Sequence, residues 1–107
     1  LGNLGAPRGS APAWRRPIVV VSADAFNRSS IRTVTALVLT SNIRQADAPG
    51  NVLLPSGTAG LVQDSVANVT QMVTVDKGDL EDHPVGSLSG ALMQRIDAGL
   101  GLALALP

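Results

Sequence analysis

Arg15-Arg16-Pro17-Ile18-Val19-Val20-Val21-Ser22 sets two guanidiniums directly ahead of four β-branched residues. Proline disfavours the helical region for the residue before it, so Arg16 is expected to be extended. An unbroken β-branched run suits a strand covered on both faces. Arg16 then stands at the rim of a sheet as a permanent charge with a planar fork of donors, an arrangement suited to holding a phosphate. A second reading stands beside it, an arginine that only solubilises a strand end.

Two other stretches carry polar chemistry. Thr40-Ser41-Asn42 puts two hydroxyls and a carboxamide where an apolar run ends; such groups cap a turn or hydrogen-bond a ligand. Arg8 and Trp14 lie in or beside a stretch of small residues, glycine and proline. A cation and an indole on a loop can hold a phosphate and stack a base, as in grips on single-stranded nucleic acid. Trp14 packed over the core is the competing reading.

Composition narrows the classes. The chain has no cysteine and one histidine, His83, so it offers neither a disulfide framework nor the thiolate or multi-imidazole ligands of a zinc centre. His83, before Pro84, reads as a solvated loop residue rather than a base. No apolar run approaches the roughly 18 residues that span a bilayer, and no secretion signal opens the chain; a cytoplasmic soluble protein is expected. Net charge is zero but unevenly spread: residues 1–44 carry six arginines against Asp24 alone, whereas the remainder carries Lys77 and Arg95 against seven acids. The arginine-rich part suggests a local anion-binding surface, unless the two halves pair with each other or with a second copy.

These residues need a scaffold. With 107 residues, 45% of them hydrophobic, the chain is the size of one domain, 1–107. Trp14 and Phe26 are its only aromatics, so Val, Leu, Ile, Ala and Met must build the core. Residues 1–13 read as loop, Ile18–Ser22 as a strand, 23–30 as a polar connection with turn formers Asp24 and Asn27, and Ile31–Thr40 as a second strand. A turn at Ala48-Pro49-Gly50-Asn51 leads to a short strand at Val52–Leu54, and another turn covers Ser56–Gly60. Two extended segments follow at Asp64–Val69 and Gln71–Val75, then an exposed acidic connection over Asp76–Pro84. Leu92, Met93, Ile96, Leu100, Ala103 and Leu104 share a helical face behind Ser89, a plausible N-cap. Gly90, Gly99 and Gly101 weaken that helix by up to about 1 kcal/mol each, so packing must hold it. The apolar ending Leu102–Leu106 is expected to be buried in the domain, with binding to a partner as the competing reading. The fold expected is mainly β, a curled antiparallel sheet with a C-terminal helix.

The order of these features resembles the MazF/PemK toxin family of bacterial toxin-antitoxin systems over nearly the whole chain. The resemblance runs through Pro7-Arg8-Gly9-Ser10, Arg15 to Ser22, Asp24-Ala25-Phe26-Asn27-Arg28-Ser29 and Leu39-Thr40-Ser41-Asn42. It continues through Ala48-Pro49-Gly50-Asn51-Val52, Asp64-Ser65-Val66, Val73-Thr74-Val75-Asp76 and Leu88-Ser89, to a helix containing Ile96-Asp97-Ala98-Gly99-Leu100.

What the resemblance implies is a small SH3-like barrel with a terminal helix, acting as a homodimer that cleaves single-stranded mRNA at short motifs without metal or other cofactor. It also implies a cognate MazE-like antitoxin covering the RNA site. The family's catalytic arginine and threonine correspond to Arg16 and Thr40; Arg8, Trp14, Arg15, Asn27, Arg28, Ser41, Asn42 and Arg44 are the candidates to hold RNA around them. Two departures stand out. Ala11 occupies the place of a frequent acidic residue, and the chain starts at Leu1, about where the family's first strand ends, so that strand is expected to be missing. Two alternative functions follow: an inactive truncated toxin, or a gyrase poison on the same fold. That second branch typically ends Trp-Gly-Ile, whereas this chain ends Leu-Ala-Leu-Pro.

Overall fold

A computed structural model describes residues 3–5, 17–80 and 86–107, with backbone alone at 3–5. Six strands, β1 (Asn3–Gly5), β2 (Ile18–Val20), β3 (Thr33–Thr40), β4 (Val52–Leu54), β5 (Ser65–Asp76) and β6 (Gly86–Ser87), form one antiparallel sheet in the order β4-β5-β3-β2-β1-β6. The sheet curls until β6 reaches the turn at Thr58–Gly60 that follows β4. Two helices complete the described fold, the single-turn α1 (Asp24–Asn27) and the C-terminal α2 (Gly90–Ala103). None of the described helices is long and apolar enough to cross a membrane.

Both faces of the central strands are buried, as the β-branched run requires. Val19, Leu37, Leu39, Val52, Leu54, Ala67 and Val69 pack with Leu88, Met93 and Ile96 under α2. Ile18, Val20, Val34, Ala36 and Val75 form a second cluster. The strand that serves both is β5. Its register against β3 runs Leu37 opposite Met72, then Leu39 opposite Ala67, so four residues of β5 oppose one of β3. Three extra residues make an odd shift, and an odd shift moves the side chains that follow to the other face. Asn68 secures this bulge by accepting from both the backbone N–H (3.1 Å) and the hydroxyl (2.8 Å) of Thr70. The break expected between Val69 and Gln71 is therefore a bulge inside one bent strand of 12 residues, not a gap between two.

Other expectations need correction. Residues 1–13 are not all loop: Asn3–Gly5 pairs with β2 on one side and β6 on the other, and so fills the place in the sheet that was expected to be vacant. Asn-Leu-Gly has no β-branched residue and no alternation to signal a strand; its neighbours supply the pairing. Within the acidic connection Lys77–Asp79 is a 3-10 turn capped by the Asp76 carboxylate, which accepts from Gly78 N at 2.8 Å. His83 lies outside the described residues.

Ser89 caps α2 as anticipated, accepting from Leu92 N at 3.2 Å. The buried face of α2 is shorter than its pattern: Met93, Ile96 and Gly99 are buried, but Leu102, Leu104 and Leu106 are 64%, 49% and 60% exposed. The helix stops at Ala103, so the tail leaves the sheet before its leucines can reach it. What seats α2 is a backbone contact. Gly50 adopts φ +84, open to glycine, and its carbonyl lies so close to Gly99 that a Cβ on Gly99 would overlap it. Gly99→Ala is expected to destabilise the fold by about 1–3 kcal/mol through this clash. Gly101→Ala, which meets nothing within 4 Å, should stabilise it by up to about 1 kcal/mol. Urea denaturation midpoints of the two variants check this, and the shifts should have opposite signs.

Candidate functional site

Thr40 is the last residue of β3 and is held from both sides. Its pairing partner on β5 is Val66. On the other side Leu39 N donates to Pro17 O at 3.0 Å. The Thr40 side chain is half-buried, and its Oγ1 accepts from Asn42 N at 3.2 Å. An oxygen already accepting from the backbone directs its own proton outward, so the hydroxyl is poised to donate. Asn42 in turn caps a 3-10 turn, Ile43–Asp47, by accepting from Arg44 N at 3.2 Å. Its carboxamide oxygen therefore serves the chain, as the turn-capping reading required, and Ser41 and Arg44 are left exposed.

A cleft of about 130 Å³ opens here, lined by Pro17, Leu39, Thr40, Ser41, Gln63 and Ser65. Arg16 is bonded to Pro17; it, Arg8, Trp14 and Arg15 lie outside the described residues. Ser65 is 4% exposed and its Oγ donates to Gln63 O at 3.2 Å. Neither Gln63 nor Ser65 was anticipated as a site residue. The signal available was Asp64-Ser65-Val66 itself. Had Val66 been paired with Thr40, the two residues before Asp64 and Val66 would have fallen beside the hydroxyl.

Asn27 and Arg28 are not brought to this cleft. They sit by the start of β3, where Thr33 pairs with Asp76, and seven residue steps separate that end from Thr40, about 23 Å along a strand. The Asn27 side chain is occupied: its Nδ2 donates to Ser22 O at 2.8 Å, and its Oδ1 accepts from Ser22 Oγ at 2.6 Å. Ser22 Oγ also accepts from Thr35 N at 3.1 Å. This half-buried clamp fixes how β2 returns into β3. Lys77 fastens the same connection, its Nζ donating to Ser29 O at 2.9 Å and to Phe26 O at 3.4 Å. Arg28 is exposed, and its guanidinium has no partner among the described residues.

Among the described residues, internal pairing does not consume the cations of the first half. Among the described residues one ion pair joins the halves, Arg32 to Asp76 at 3.9 Å, with both side chains largely exposed. Such a pair contributes between nothing and about 1 kcal/mol. Arg28 and Arg44 remain available to an anion.

Asn27→Ala is expected to cost about 1–3 kcal/mol, because half-buried Ser22 loses both of its hydrogen bonds to Asn27 while keeping the one from Thr35 N. Arg28→Ala should stay within about 0.5 kcal/mol. Thermal melts of the two variants separate a clamp from a surface cation.

Similarity to known proteins follows the same boundaries. A family model described as PemK-like, MazF-like toxin of type II toxin-antitoxin system matches residues 1–104. Endoribonuclease MazF6 of Mycobacterium tuberculosis is 49% identical over 104 residues, covering 97% of this chain and 90% of its own length. Endoribonuclease EndoA of Bacillus subtilis is 33% identical over 98 residues, covering 92% and 83%. A solved mycobacterial endoribonuclease in complex with its cognate antitoxin superposes with a TM-score of 0.78 at 27% identity, covering 99% of this chain and 93% of that one. The Mycobacterium tuberculosis toxin MazF-mt6 shares the fold at a TM-score of 0.82 and 19% identity, covering 98% of each chain.

Proposed function

Because the chain belongs to the PemK-like, MazF-like toxin family of type II toxin-antitoxin systems, we propose that it is a sequence-specific endoribonuclease of single-stranded mRNA, a single toxin domain over 1–107 acting in the cytoplasm. The observation that carries this reading is the cleft in which a strand-end hydroxyl, Thr40, faces Pro17, the residue bonded to Arg16. Endoribonuclease relatives sharing up to 49% of the sequence support it.

The proposed reaction uses the nucleophile that RNA carries. The 2′-oxygen bonds to the adjacent phosphorus and gives up its proton, and the bond from phosphorus to the 5′-oxygen breaks. The leaving oxygen takes up a proton, so the products are a 2′,3′-cyclic phosphate and a 5′-hydroxyl. Charge that gathers on the phosphoryl oxygens during attack is met by Arg16, which keeps its proton at any relevant pH. The Thr40 hydroxyl donates to an oxygen beside it. Groups fixed before the reaction begins stabilise the developing charge more than the ground state. These roles require charge and hydrogen-bond donors only, so the reaction proposed is independent of metal and cofactor.

Ser41, Asn42 and Arg44 come soon after Thr40 in the chain and hold RNA near the cut, and Arg8, Trp14 and Arg15 are proposed to hold RNA with them. Arg28 serves nucleotides farther along the strand. Asn27 positions the Arg28 segment through Ser22 rather than touching RNA. The exposed leucines at 102, 104 and 106 offer apolar surface for the homodimer. A MazE-like antitoxin would occupy the RNA site, in keeping with the antitoxin complex of the mycobacterial neighbour.

Incubation with mixed-sequence RNA in EDTA should give cleavage at short motifs. Thr40→Val, which keeps the shape and removes the donor, should lower kcat/KM by about a hundredfold or more. Arg16→Ala should abolish detectable cutting, and added salt should weaken RNA binding steeply. Intact RNA at high enzyme, or gyrase-dependent DNA breaks without RNA cleavage, would falsify the proposal.

A further inference from the structure

The cleft beside Thr40 contains a group that the proposed chemistry does not use. Gln63 lines it, yet the Gln63 carboxamide has no hydrogen-bond partner among the described residues. The backbone under that side chain is fastened on both sides. Ser65 Oγ, nearly inaccessible to water, donates to Gln63 O. The neighbouring Asp64 carboxylate accepts from Ser56 N at 2.8 Å. Upstream, Gly57 N donates to Leu61 O at 2.7 Å, and the Leu61 side chain is buried in the core. A residue with a free amide on a stapled backbone thus lines the same opening as Thr40. Beside it Val62 is 93% exposed, an apolar group with no packing role in the described fold.

Gln63 is neutral, so it adds nothing to phosphate attraction. It offers one donor and one acceptor in a plane, which is what the edge of a nucleobase recognises. Unstacked single-stranded bases present those edges. A cleft of about 130 Å³ is well below the size of a whole small-molecule site and admits part of a nucleotide. We propose that Gln63 is a specificity-determining residue that reads the base next to the scissile phosphate, with Val62 against the face of that base. This rests on the ribonuclease reading above and adds to it the residue that selects the motif. A carboxamide pairs with an adjacent donor and acceptor, which each base presents in its own arrangement: adenine N6–H and N1, cytosine N4–H and N3, uracil N3–H and O4, guanine N1–H and O6. Guanine also offers adjacent donors on its pairing edge, which a carboxylate would accept instead.

The test compares wild type, Gln63→Ala, Gln63→Glu and Thr40→Val on a randomised single-stranded RNA, sequencing the 5′ ends of the fragments. Wild type should prefer a particular base at one position beside the cut. Gln63→Ala should reduce that preference by about tenfold or more while preferences elsewhere persist, and Gln63→Glu should move it to guanine. A structural role could lower the rate but would not change which base is chosen. If both Gln63 variants keep the wild-type preference at every position, whether or not they cut more slowly, the proposal is overturned and the ribonuclease reading survives. If wild type produces no fragments, both fall together.

Discussion

Three extra residues on β5 govern the direction of the side chains on either side of them. Without the bulge, Ala67 and Val69 would share a face with Val73 and Val75, and one of the two core clusters would lose its β5 contribution. With it, the first half of the strand packs under α2 and the second half faces the other cluster. The same offset sets Val66 opposite Thr40 and so delivers Ser65 and Gln63 to the hydroxyl. Packing and site geometry thus share one cause. Asn68 holds it with a side chain that is 8% exposed and whose Oδ1 accepts twice from Thr70, and no described side chain leaves a fully buried polar atom unpaired.

Among the described residues the cleft lining is neutral, and the charge proposed at the phosphate is that of Arg16. Thr40, Ser41, Gln63 and Ser65 line the cleft without a formal charge, while Arg28 and Arg44 stand outside it in solvent. Neutral donors and acceptors can be half-buried at a strand end at small cost once they are paired. Guanidiniums on the periphery attract a polyanion from a distance and keep their hydration until it arrives. Long-range attraction by Arg28 and Arg44 is therefore distinct from the orienting contacts of the cleft lining.

Much of the sheet was legible because its signals are local. The β-branched run gave β2, the polar-to-apolar drift of 31–40 gave most of β3, and the weak alternation around Thr70 marked the bulge to within a residue. What could not be read depends on pairing. Asn3–Gly5 is a strand only because two neighbours bind it, and the apolar helical face runs on to Leu104, one residue past the end of the helix. Site residues followed the same division. Thr40 was readable as a polar residue ending an apolar run, but Asn27 looked like a ligand group because a carboxamide in a turn announces nothing about Ser22. Gln63 lies 23 positions from Thr40 in sequence, and only the register joins them.

Thr40 terminates a strand hydrogen-bonded on both sides, and its hydroxyl is oriented by the backbone two residues on. Opening such a position requires breaking the sheet itself, so its fluctuations belong to global rather than local unfolding. A loop-borne site can be disarmed by letting the loop drift. The Thr40 hydroxyl is carried on a strand end instead. Occupancy of the site is the remaining variable: any inhibitor must compete for the space over the cleft and be released to restore access, which makes control a matter of mass action instead of shape.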